Sequence, residues 1–201
     1  MVWAAVILAL ILVLGSSFIW ERVTAKELSF LASLAALAAV GRVPFAALPN
    51  VQPTTFLVIM GGWVFGPKAG FLIGSLAALI SNFFLGQGPW TPWQMLAWGL
   101  AGATSGLMGK IFASPDCYLL ALFGALWGYL FGLIMNTWHW LTFIYPLTWK
   151  TFLATWAASF WFDTAHAAAN VFLGLAFGPG ILAILRRYRE KMEATTIPPG
   201  G

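Results

Sequence analysis

From Ala69 to Gly109 the chain runs for 41 residues without an Asp, Glu, Lys or Arg. A soluble fold does not leave so long a stretch without charge, because about a quarter of its residues are charged. A bilayer favours it, since one crossing takes about 20 apolar residues and 41 suffice for two. Elsewhere the same pattern recurs. Only 8% of the 201 residues are charged and 61% are hydrophobic, so the chain falls in the membrane class and has no room for an added soluble catalytic domain of ordinary size. A single cysteine, Cys117, excludes an internal disulfide framework and a multi-cysteine zinc site.

The few charges segment the rest. Val2 to Trp20 is uncharged and long enough for one crossing, and it lacks the basic start of a signal peptide. Apolar stretches then run from Leu28 to Gly41 and from Thr54 to Gly66. Between them lies Arg42 to Pro53, whose three prolines deny a continuous helix its donors, so a structured connection that folds back on the protein is expected. The long uncharged run divides at Gly86 to Pro92. A further crossing is expected from Cys117 to about Thr137, followed by a Trp-rich segment to Trp149 and a last helix, interrupted or oblique, that ends in Arg186 to Lys191. The expected fold is therefore an all-α membrane protein: a six-helix bundle over residues 27–191, an extra amino-terminal transmembrane helix with its linker over 1–26, and a disordered tail over 192–201. Alternating helices place Arg22, Lys26, Lys68, Lys110, Arg186, Arg187, Arg189 and Lys191 on one side, against Arg42 and Lys150 on the other. The positive-inside rule then puts the carboxyl terminus in the cytoplasm, in a plasma-membrane protein.

Glycines one turn apart (Gly66/Gly70/Gly74, Gly102/Gly106, Gly124/Gly128/Gly132, Gly174/Gly178) suit close helix packing. Leu28 to Gly41 differs, with two overlapping pairs, Ala32/Ala36 and Ala35/Ala39, that suit either internal packing or a face kept smooth for another membrane protein.

Catalytic motifs fail. Gly109-Lys110 imitates the end of a phosphate loop, but Thr104 and Ile111 stand where Gly and Ser/Thr are required. With only His139 and His166 there is no two-histidine zinc helix, and the few membrane-flanking basic residues do not suit nucleic acid. The remaining polar groups gather toward one end. Asp163, His166 and Asn170 share a helix face at i, i+3 and i+7, as a structural Asp–His lock, a ligand contact, or a proton or metal site. Asn82, Gln87 and Gln94 flank one turn, Asn136 and His139 end a helix, and Asn50 and Gln52 lie in the proline-rich connection. Among the indoles Trp90, Trp93, Trp138, Trp140, Trp149, Trp156 and Trp161, which also suit an interfacial belt, these groups have the profile of a small-molecule pocket.

Leu28 to Arg42, Gly66-Pro67-Lys68-Ala69-Gly70 with Phe71 to Leu85, and Phe162 to Val171 resemble, in order, the first helix, the Gly-Pro turn with third helix, and the last helix of the substrate-binding S components of energy-coupling factor (ECF) vitamin transporters. The resemblance implies a non-enzymatic transport subunit that binds a vitamin from outside, in the outer half of the bundle and under the Arg42–Pro53 connection. It implies a transmembrane T component, docked through Ala32/Ala36 or Ala35/Ala39, and two cytoplasmic ATPases that drive reorientation of the subunit. No bound cofactor is expected apart from the transported vitamin, and the start Met1-Val2-Trp3 lacks the histidine of metal-specific relatives. Gly86 to Met95 looks most like the cobalamin-type members, which makes a corrinoid the favoured ligand and another heteroaromatic vitamin the alternative. Together with the polar groups and indoles above, the candidate site residues are Arg42, Asn50, Gln52, Asn82, Gln87, Trp90, Trp93, Gln94, Asn136, His139, Asp163, His166 and Asn170. A lipid-processing intramembrane enzyme using Asp163 and His166 is the competing class.

Overall fold

The computed structural model describes residues 24–194, which form six helices: α1 Ala25–Val40, α2 Thr54–Phe65, α3 Pro67–Leu85, α4 Thr91–Ile111, α5 Cys117–Phe143 and α6 Trp149–Ala194. Local chemistry sets their ends. Thr24 caps α1 by accepting from the Glu27 amide at 3.2 Å, and Asp116 caps α5 by accepting from the Leu119 amide at 2.7 Å. Gly66, at φ +89°, makes the turn that lets Pro67 open α3 directly after α2.

Ten of the twelve residues of α2 are buried, and α2 touches all five other helices. A helix apolar all round belongs in the middle, and this one forms the axis of the bundle. Around it α3 packs mainly on α4, and α5 on α6. Both seams rest on small residues. A side chain at Gly70 or Gly102 would run into the backbone of the other, one at Gly74 into Trp98, and one at Gly128 into Ala167. Close backbone approach of this kind replaces the hydrophobic drive that lipid cannot supply.

Among the described residues three helices, α3, α5 and α6, are long and apolar enough to cross a membrane, and the protein is a multi-pass membrane protein. The seven-helix expectation is corrected to a six-helix bundle. The run from Val2 to Trp20, read as an extra crossing, lies outside the described residues. Two further expectations change. α5 does not stop near Thr137 but continues through the tryptophans to Phe143, since no helix breaker precedes Pro146. α6 is not interrupted: its 46 residues run through Pro179. Apolar helices tolerate such a proline better than soluble ones because neighbouring groups re-satisfy the freed carbonyl. Of the expected tail, residues 192–194 belong to α6 and 195–201 lie outside the described residues.

The connectivity gives the bundle two chemically different ends. The 41–53 connection, the α3–α4 turn and the α5–α6 turn share one end. The α2–α3 and α4–α5 turns and the carboxyl end of α6 share the other, with Lys26, Lys68, Lys110, Arg186, Arg187, Arg189 and Lys191. There Arg189 donates to the Val64 carbonyl at 2.8 Å and Arg186 to that of Ala113, so α6 basic side chains hold the end of α2 and the α4–α5 turn.

Candidate functional site

The proline-rich connection is a chain of tight turns. Successive amides donate three residues back, Arg42 to Ala39, Phe45 to Arg42, Leu48 to Phe45 and Val51 to Leu48. Asn50, at φ 58°, takes the left-handed position that asparagine tolerates. Gly41 faces Pro53, so the two ends of the loop meet, as in a compact Ω-loop. This geometry carries Arg42 inward while Val43, Phe45 and Leu48 stay exposed.

The Arg42 guanidinium joins three elements. Its Nε donates to Gln52 Oε1 at 3.0 Å, and one terminal nitrogen donates to Ser81 Oγ at 2.7 Å and Asn82 Oδ1 at 3.0 Å. Its carbon lies 4.8 Å from the centre of the Trp98 ring, a cation–π contact. Burial pulls its pKa down to about 10, which still leaves it charged at neutral pH. None of its hydrogen-bond partners is a carboxylate.

Behind this cluster the polar groups continue inward. The Trp98 indole N–H donates to Thr55 Oγ1 at 2.8 Å, and Thr55 Oγ1 lies 2.7 Å from His166 Nε2. Thr55 Oγ1 accepts the indole hydrogen, and its contact with His166 Nε2 ties α2 to α6. His166 Nδ1 is buried without a hydrogen-bond partner. A second cluster joins α5 to α6. Asp163 Oδ2 accepts from Ser159 Oγ at 2.7 Å and from Asn136 Nδ2 at 3.2 Å. Gly132 lets the carboxylate in, because a side chain there would overlap it.

Thus the expected site residues divide. Arg42, Gln52, Asn82, Gln87 and Gln94 form one connected network, which His166 reaches through Thr55 and Trp98. Asn136 and Asp163 form the other, next to a cavity of about 460 Å³ between α5 and α6 that His139, Thr151 and Ser159 also line. No Asp163–His166 lock exists: Asp163 turns to α5 and His166 to α2. Asn170 stands apart, donating to the Gly124 carbonyl at 3.1 Å. Trp90 meets Trp138 edge-on, Trp93 packs beside the Trp98–Phe131 cluster, and Asn50 shapes the loop. Sequence reasoning missed Ser81, Thr91, Thr55, Trp98 and Ser159. Of these only Trp98 carried a signal, as an indole set apart from the ends.

A second cavity, of about 580 Å³, lies between the loop and α6. Phe45, Val51, Gln52 and Pro53 line it on one side and Ala165, Ala168, Ala169, Phe172, Leu173 and Phe177 on the other. Gln52 belongs both to this apolar wall and to the Arg42 cluster. Among the described residues no group of three or more His, Cys, Asp or Glu could hold a metal ion.

Residues 26–185 match the family "ECF transporter, substrate-specific component". The chain belongs to that family. Its members are transport subunits and not enzymes, and they work with a T component and two ATPases in a membrane complex. The match begins with α1, so the extra amino-terminal helix expected from the sequence is no part of the shared fold. UPF0397 proteins of two Aliivibrio fischeri strains, MJ11 and ATCC 700601 / ES114, are each 26% identical over 195 residues, covering 89% of this chain and all of theirs. A UPF0397 protein of Vibrio atlanticus is 30% identical over 89 residues, 42% of this chain and 48% of its own. No solved structure matches the chain.

The alanine pairs separate cleanly. Ala35 and Ala39 are fully buried in the bundle, whereas Ala32 is exposed and Ala36 partly so.

Proposed function

We propose that the chain captures a micronutrient at the end of the bundle that bears the 41–53 loop, and that this end faces the cell exterior. The observation that carries the reading is the position of that loop. It brings Arg42 and Gln52 into a polar cluster beside a 580 Å³ apolar cavity, and the seven basic residues Lys26, Lys68, Lys110, Arg186, Arg187, Arg189 and Lys191 gather at the opposite end. Apolar walls with a few placed hydrogen-bonding groups are what a small-molecule site requires. Concentrated basic residues favour a cytoplasmic side, which supports a cytoplasmic carboxyl terminus. The second cluster, around Asn136, His139 and Asp163, supplies further polar contacts at the same end.

The T component docks on the outward stripe of α1 through Ala32 and Ala36, with ATP hydrolysis on the cytoplasmic partners reorienting the bundle. The buried pair Ala35 and Ala39 supports the helix from within. For the ligand, the resemblance of Gly86 to Met95 favours cobalamin or a related corrinoid. The alternative, a flat heteroaromatic vitamin, is supported by the cavity volumes, which suit a single fused ring better than a corrin macrocycle.

Purified protein is incubated with a panel containing cobalamin and the flat heteroaromatic vitamins, and retained ligand is identified by mass spectrometry. Retention of one vitamin, with uptake in cells that requires the T component and ATPases, is expected. Turnover of a lipid by the isolated chain, or uptake independent of any ATPase, overturns the reading.

A further inference from the structure

The hydrogen-bond polarity around Arg42 is fixed from the backbone outward. The Leu79 carbonyl can only accept, and Gln87 Nε2 donates to it at 3.0 Å. That orients Gln87 so that its Oε1 accepts the Thr91 hydroxyl proton at 2.9 Å. Having given its proton away, Thr91 Oγ1 accepts from Asn82 Nδ2 at 3.0 Å, and Gln94 Oε1 accepts from the same amide nitrogen at 2.8 Å. Asn82 Oδ1 is thereby turned toward Arg42 as an acceptor. Ser81 is committed in the same way, because its hydroxyl donates to the Ala78 carbonyl at 3.1 Å and leaves a lone pair for the guanidinium.

The result is a pocket of one polarity: two fixed acceptors, a third from Gln52, and the face of Trp98. It suits a planar group with several N–H donors, and the Arg42 guanidinium is such a group. Yet Arg42 stands at the start of a surface loop whose ends, Gly41 and Pro53, meet, while Ser81, Asn82 and Trp98 are buried on helices. The acceptors belong to the helical scaffold and the cation to the loop.

Building on the transport reading, we infer that the Arg42 head occupies the subsite of a flat heterocycle bearing amidine-type N–H donors, such as an aminopyrimidine ring, and that the ligand takes its place over Trp98 as the loop lifts. Arg42 then acts as an internal stand-in that keeps the acceptors satisfied and sets a threshold of donor number for anything that displaces it. An unpaired acceptor in a buried site is costly, so a ring of the same shape without donors is rejected.

Two measurements test this with 2,4-diaminopyrimidine as the donor-bearing probe and 2,4-dimethoxypyrimidine as its donor-free counterpart. In the wild-type protein, displacement exposes the Arg42–Val43 bond to trypsin. The diamino probe is expected to speed cleavage there at least fivefold and the dimethoxy probe to leave it unchanged. In Arg42→Ala, which vacates the subsite, ethylguanidinium and the diamino probe are expected to bind at least tenfold more tightly than to wild type, with fluorescence quenching that disappears in Arg42→Ala/Trp98→Phe. Should the alanine variant aggregate, Arg42→Met replaces it and the trypsin assay stands by itself. Equal response to both pyrimidines, no change in cleavage, or quenching that survives loss of Trp98 overturns the inference. ATPase-dependent vitamin uptake measured alongside keeps the two readings apart: uptake that persists while the probes fail removes this inference and leaves the transport function standing.

Discussion

Replacing Thr55 by valine tests the buried path from Arg42 to His166 with little change of shape. Thr55 is fully buried, and its hydroxyl serves two partners, the Trp98 indole N–H at 2.8 Å and His166 Nε2 at 2.7 Å. Valine keeps the volume and strands both. A buried polar group left without its partner costs about 1–3 kcal/mol. Side-chain hydrogen bonds inside membrane proteins average only about 0.6 kcal/mol, because the unfolded chain in the membrane also finds partners. Summed over two groups, these limits bracket a loss of about 1–6 kcal/mol, and the middle of the lower half, about 2 kcal/mol, is the expected value. For a chain of this size that lowers the melting temperature by roughly 4–8 °C. Thr55→Ser, which keeps the hydroxyl and loses one methyl, costs only about 0.8 kcal/mol. Thermal unfolding of both variants in one detergent gives the comparison. In a double-mutant cycle, Trp98→Phe recovers the indole part of the Thr55→Val loss. A valine variant as stable as wild type, or a serine variant less stable than the valine one, would refute the assigned roles.

Other perturbations separate packing from docking. Ala32→Leu/Ala36→Leu is expected to leave ligand binding within twofold while abolishing uptake and copurification with the T component; Ala35→Leu, aimed into a fully buried position, lowers the yield of folded protein instead. Gly102→Leu drives a side chain into the Gly70 backbone and is expected to eliminate a monodisperse peak on size exclusion, whereas Gly180→Ala, which meets nothing within 4 Å, leaves it intact. Gly132→Val pushes Asp163 away from Ser159 and Asn136, so the hairpin of α5 and α6 is expected to become protease-sensitive while Gly66→Ala, at the far end of the bundle, does not affect this hairpin. Proteolysis with mass-spectrometric mapping distinguishes the two.

Much of the bundle was legible because charge is so scarce. Lys68 and Gly86 to Pro92 mark helix ends within a few residues, and the prolines between Arg42 and Pro53 mark the loop. Where length was the guide, reading was poorer. Counting about 20 residues per crossing assumes lipid on every side. α2, with 12 residues, is surrounded by protein and needs no such length. Indoles near Trp138 suggested an interface and hence a helix end, yet tryptophan is not a breaker and α5 continues beneath it.

Within the site, residue type was visible and direction was not. Asp163 and His166 stand three positions apart, about 60° around a helix, which is enough to send one to α5 and the other to α2. Spacing along one helix cannot say what the neighbouring helices present. Ser81 and Thr91 escaped for a related reason. In apolar helices a hydroxyl usually returns its proton to a carbonyl one turn back, as Thr104 does to Leu100, and carries no information. Ser81 does return its proton, to Ala78, and that commitment is what makes it an acceptor for Arg42. The local bond that makes a serine look structural gives the pocket its polarity. For chains this poor in charge, the functional reading therefore follows from tracing each hydrogen to a carbonyl that can only accept, and the lone pairs left over describe the ligand.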